Sequence, residues 1–127
     1  MIENAIFIGG CARAGTTLLG AMLGGHSSAI CVPESQFKIG LLRDRRIANR
    51  DAAQKFLQKH WRFRLWDMPI QSSDLVGNGE LDRVGTMRHL CELYGERHSR
   101  AGRAVWVDHT PHNTRHCKLL AKNFSGS

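Results

Sequence analysis

A chain of 127 residues, 42% of them hydrophobic, with a formal net charge of +7, has room for one small packed domain and too large an apolar share for wholesale disorder. The charge favours anionic partners, but no recognition-helix signature, zinc-finger spacing or aromatic RNA-binding motif accompanies it, so no nucleic-acid partner is expected. Cys11, Cys31, Cys91 and Cys117 stand apart without a C-x-x-C pair, which argues against a zinc ribbon or disulfide framework and for reduced thiols in a cytoplasmic chain.

The opening residues MIENAIFIGG carry no basic leader, so no signal peptide is expected. Nowhere do about 18 apolar residues follow one another, so no membrane span is expected either. Ala5–Ile8 is a short all-apolar run ending in Gly9-Gly10, as in a buried parallel strand. Gly10 and Gly15 then bracket a loop that runs into Thr16-Thr17. This is the nucleotide-binding pattern G-x-x-x-x-G-K-[ST] with Thr16 in place of the lysine and Arg13 inside the loop. Thr16 is expected to cap a helix whose apolar positions Leu18, Leu19, Met22 and Leu23 fall at helical spacing, with Gly24-Gly25 ending it.

The stretch HSSAICVPES reads as a loop. Glu34 follows Pro33, where a helix through Phe37, Ile39, Leu41 and Leu42 can begin. Ile47 to Trp61 reads as an amphipathic helix, and its charged face of Arg46, Arg50, Lys55 and Lys59 reads as a solvated one. The turn-rich MPIQSSDLVGNGELD separates it from a helix at Leu81–His98, with Val84, Met87, Leu90, Cys91 and Tyr94 aligned. After Gly102, Ala104–Val107 is the second strand candidate. Thr110-Pro111 then caps a last helix bearing Cys117, Leu119 and Leu120. The order strand–loop–helix, helices, strand, helix predicts an α/β fold with a parallel sheet, of which two core strands are recognisable.

The chemistry concentrates in the first loop. Successive backbone N–H groups at a helix N-terminus form an anion site assisted by the helix dipole. Gly15, Thr16 and Thr17 place such groups directly after a strand, and Arg13 adds a fork of donors for a terminal phosphate or sulfate. Without a lysine at position 16, a nucleoside triphosphate is the poorer fit.

The stretch GGCARAGTTLLGAMLGGHSSAICVPE resembles the 5′-phosphosulfate loop of sulfotransferases that use 3′-phosphoadenosine 5′-phosphosulfate (PAPS), most closely the tyrosylprotein-sulfotransferase branch. VWVDHTPHNTRHCKLLAKNF resembles the W-x-D-K-T-P segment of the same family, with His109 where the family often has lysine. The resemblance implies a P-loop-type three-layer fold. It also implies that Arg13, Ala14, Gly15, Thr16 and Thr17 hold the phosphosulfate, with Arg13 stabilising charge on the transferring group. Glu34 would be the general base toward an acceptor hydroxyl on a protein tyrosine, a glycan or a small molecule, and no metal would be needed. Residues 1–127 would then be the N-terminal portion of a single domain, ending before the strand that carries the 3′-phosphate contacts, and inactive alone. LLRDRR at Leu41–Arg46 echoes those contacts in wording only, since it follows a helix and not a strand.

Three other readings compete. A P-loop kinase or NTPase would use Asp108, after the second strand, to hold magnesium. A basic anion- or nucleic-acid-binding module would need no catalytic group. His109, His112 and His116 could hold zinc, although Pro111 places His109 outside the helix that would align them.

Overall fold

The computed structural model describes residues 1–125. The chain runs β1 (Asn4–Phe7), α1 (Thr16–Gly24), β2 (Ala29–Val32), α2 (Phe37–Arg43), α3 (Arg50–Lys59) and α4 (Trp61–Arg64). A hairpin of β3 (Gly77–Asn78) and β4 (Glu80–Leu81) leads to α5 (Arg83–Arg97), β5 (Val105–Asp108) and α6 (Cys117–Asn123). Short 3-10 turns lie at Ser72–Asp74 and Pro111–His116. The end of the domain portion expected from the sequence falls at Ser127, outside the described residues.

The main sheet is parallel, in the order β1-β5-β2, with Ile6 and Cys31 both in register with Val107. This is the expected α/β class with one strand more than expected. β2 lies inside the stretch read as a loop, and its four residues AICV give no measurable alternation between flanking turns. β1 was expected to be a buried strand and is instead an edge strand. Ile6 is 41% exposed, because β5 alone pairs with β1 among the described strands.

Side chains alternate across the pleat, so Ile6, Val107 and Cys31 share one face, which α1 covers over β2 and β5. Phe7, Trp106 and Ile30 face the main core, where α2, α5 and α6 pack. There Phe7 and Phe124 meet Trp106 with ring centroids 5.1 and 5.5 Å away. Phe37 sits edge-on to Phe63 and Trp66, each at 5.2 Å. The Arg83 guanidinium donates to the carbonyls of Leu41, Asp44 and Ile47 at 2.6, 3.0 and 2.7 Å, satisfying backbone acceptors at and beyond the end of α2 that the helix leaves open.

One helix differs from expectation. The segment Ile47–Trp61 is not continuous: Asn49 caps α3 by accepting from Ala52 N, and extended backbone at His60 starts the separate turn α4. In α1, the apolar residues Leu18, Leu19, Met22 and Leu23 point outward, Leu18 and Met22 with 68% and 69% exposure. The buried stripe is Thr16, Gly20 and Gly24, spaced i, i+4, i+8 on one face. Small residues win there because the sheet lies close. An added Cβ at Gly20 would stand 2.9 Å from the His109 Cβ, and one at Gly24 would overlap Cys31 and stand 3.1 Å from its backbone nitrogen.

Gly24→Ala therefore sets two effects against each other. Replacing glycine in a helix gains at most about 1 kcal/mol, and less at its last residue. Overpacking against backbone costs about 1–3 kcal/mol. A lowered urea midpoint with unchanged slope is expected; an unchanged or raised midpoint would show that α1 can lift off the sheet at no cost.

Candidate functional site

β1 delivers the chain to Gly9 and Gly10, and the loop is then pinned from outside. The Gly10 N–H donates to the Pro111 carbonyl at 3.1 Å, and the Ala14 N–H closes a turn onto the Cys11 carbonyl at 3.2 Å. Arg13 and Gly15 both adopt left-handed backbone, with φ of 65° and 91°. At Gly15 this costs little, while at Arg13 it is a strained conformation of about 1–2 kcal/mol.

Gly15 is thus the N-cap of α1, and Thr16 is its first helical residue rather than the expected cap. Among the described residues no hydrogen bond joins the N–H groups of Gly15, Thr16 or Thr17 to a protein acceptor. Three orphan donors at a helix start make a concave, partly positive surface.

That surface is one wall of a cleft of about 1200 Å³, to which Arg13, Gly15, Thr16 and Thr17 contribute. The facing wall comes from the chain after β2, Glu34 and Gln36, and from Arg62 of α4; the third side is the turn after β5, with His112, Thr114 and Arg115. Ala14 does not line the cleft. The Glu34 carboxylate pairs through Oε2 with Arg62 at 2.8 Å, and its backbone carbonyl accepts from Trp66 Nε1 at 3.2 Å. Three arginines against one carboxylate leave the cleft cationic, suited to a multiply charged anion.

Beneath the cleft, where the three strands end, lies a buried polar network. Asp108 is fully buried. Its Oδ2 accepts from the Ser35 hydroxyl. Its Oδ1 accepts from the Thr110 N–H and Asn113 Nδ2, both at 3.0 Å, and pairs with Lys38 at 3.4 Å. Burial pushes the Asp108 carboxyl up, but Lys38 and the bonds from Ser35, Asn113 and Thr110 outweigh it and hold it below the usual carboxylate range. Burial lowers the Lys38 ammonium against the pull of Asp108.

With both oxygens engaged inside the protein, Asp108 is not free to hold the magnesium of a P-loop kinase or NTPase. The histidines diverge. His109 is buried against Gly20 of α1, whereas His112 lines the cleft. His116 is lowered by burial and then by the charges of Arg43, Lys38, His112 and Arg115. Among the described residues no group of three such side chains is placed to hold a metal ion.

Sequence reasoning missed Arg62, Arg115, Ser35 and Lys38. Lys38 had a usable signal, since it falls on the buried face of α2 with Leu41 and Leu42, and a charge there calls for a buried partner. Arg62 had none: its partner is 28 residues away in a different element.

A protein-family model described as the sulfotransferase family matches residues 5–126. No curated protein and no solved structure matches the chain.

Asp108→Asn should leave the Lys38 ammonium buried without a counter-charge, a loss of about 3–5 kcal/mol, read as a lowered denaturant midpoint. A loss below about 1 kcal/mol, the level of a surface pair, would overturn the role given to this network. In the unaltered chain the folded-state pKa of Asp108 lies below its ordinary value of 3.8. Its contribution to stability is therefore whole above that value and disappears as pH falls through the depressed one. Acid titration of the melting temperature should show this decline, and Asp108→Asn should flatten it.

Proposed function

We propose that this chain, which belongs to the sulfotransferase family, binds the phosphosulfate end of PAPS at the start of α1 and directs its sulfuryl group to an acceptor hydroxyl held beside Glu34. The observation that carries the reading is the set of three unspent N–H groups at Gly15, Thr16 and Thr17, opening into the same cleft as Glu34 and Arg13. The cleft fits such a donor: orphan donors and an excess of guanidinium meet a group with two adjacent anionic centres.

The donor supplies an activated sulfuryl group whose bond to phosphate breaks as the bond to the acceptor oxygen forms. The residues of the chain do the rest. The loop N–H groups and Arg13 hold the phosphate oxygens that gain negative charge. Glu34 takes the acceptor proton. Its Oε2 is held by Arg62, while no hydrogen bond to Oε1 is present among the described residues, so that oxygen is free to accept. Asp108 and its partners keep the strand ends, and hence both walls, in register. The acceptor hydroxyl belongs in this reading to a tyrosine, a sugar or a small alcohol.

The experiment is calorimetric titration of the chain with PAPS, its product 3′,5′-bisphosphate (PAP), and ATP with magnesium. PAPS and PAP should bind and ATP should not. Arg13→Ala should weaken PAPS by at least about tenfold, the scale of one charge-assisted hydrogen bond. Binding of ATP with magnesium in preference to PAPS would overturn the reading. In a form of the protein that turns over, Glu34→Gln should lower kcat by about 10²–10⁴-fold with PAPS affinity retained; an unchanged kcat removes Glu34 as the base.

A further inference from the structure

Arg62 does more than neutralise Glu34. Its guanidinium has five N–H donors, and the protein engages it at two atoms. Nη2 meets Glu34 Oε2 at 2.8 Å, and Nε donates to Gln36 Oε1 at 3.4 Å. The remaining N–H groups find no acceptor among the described residues, although the side chain is only 26% exposed and lines the cleft.

The group is also held in place. It stacks over the Trp61 ring at 4.2 Å, and its own backbone N–H is fixed by His60 Nδ1 at 3.2 Å. The turn that carries it is anchored by Phe63 and Trp66, both buried against Phe37. A rigid, mostly desolvated cation with unspent donors is an anion contact in waiting.

We propose that Arg62 is a sulfuryl-binding residue, the contact by which the cleft tells PAPS from PAP. The proposal rests on the functional reading above, in which the loop of α1 serves the 5′-phosphate. Glu34 stands on the facing wall and takes the acceptor proton, so the sulfuryl group is transferred between the two walls. Its oxygens are then brought toward a guanidinium already ion-paired with Glu34. The guanidinium of Arg62 spans both: its charge steadies the base at Oε2, and its unspent N–H groups meet the group that the base's substrate attacks.

The test is equilibrium binding of PAPS and of PAP to the unaltered chain, Arg62→Gln and Arg62→Lys, with thermal melts of each. Arg62→Gln should lose at least about tenfold in PAPS affinity and change PAP affinity little. Arg62→Lys, with its charge but not its fork, should fall between. Equal losses for both ligands would reduce Arg62 to a general positive charge, and no loss for either would leave it as a support for Glu34; each overturns the proposal. If Arg62→Gln loses its cooperative melt, the lysine variant decides by the same pair of ligands. An unaltered chain that binds neither ligand is a different result, since it removes the functional reading itself.

Discussion

A single buried carboxylate holds the site end of the sheet together. Asp108 closes the central strand β5, and its partners come from three segments: Ser35 from the chain after β2, Lys38 from α2, and Thr110 and Asn113 from the turn after β5. Asn113 also donates to the Ile8 carbonyl at 2.8 Å, which brings the end of β1 into the same network. The Thr110 hydroxyl accepts from the Ser35 N–H at 2.9 Å. A charge this deep is tolerated only when its lone pairs are satisfied. That requirement makes the arrangement specific, because an apolar substitute could fill the space without dictating which segments meet. The loop before α1 and the loop after β2 are both placed by it.

The second constraint is aromatic. Phe37 stands between Phe63 and Trp66 on one side of the cleft, and the Trp66 indole reaches back to the Glu34 carbonyl. Rings of this size bury large areas with few rotatable bonds. The wall that carries Glu34 and Arg62 is therefore rigid without belonging to the sheet. One wall of the site is a backbone surface at a helix start, the other a pair of side chains on an aromatic base. The first is suited to a bound phosphate, whose position must not vary, and the second to proton and group transfer, where side-chain atoms must reach.

Much of the first wall was legible in the sequence, because a strand, a glycine-bounded loop and a helix follow one another within twenty residues and each leaves a local mark. Gly15 and the Thr16-Thr17 pair announce the orphan donors by spacing alone. The second wall left fainter marks. β2 is too short for its period to register, and the break at His60 looks like continued amphipathic helix, since Trp61 falls in phase with Leu57. Apolar spacing in α1 does not tell which face is buried: hydrophobicity marks what a helix can bury, while the distance to the sheet decides what fits, and here Gly20 and Gly24 fit. Residues joined only by the fold, such as Arg62 with Glu34, have no separation in the chain that would reveal them.

The strand order has a consequence for how the protein comes into being. Among the described residues β1 and β2 do not pair with each other; each pairs only with β5, and Asn4 waits for Val105. Contacts this distant along the chain are formed late and at a high entropic cost. On a ribosome adding about 5–20 residues per second, the first strand leaves the tunnel roughly five to twenty seconds before its partner. Until then the helices after β2 can form locally, but the sheet has no centre. The nascent chain passes that interval with two apolar strands and their open edges uncovered, the state that chaperones recognise, and it ends only when the residue that organises the site arrives.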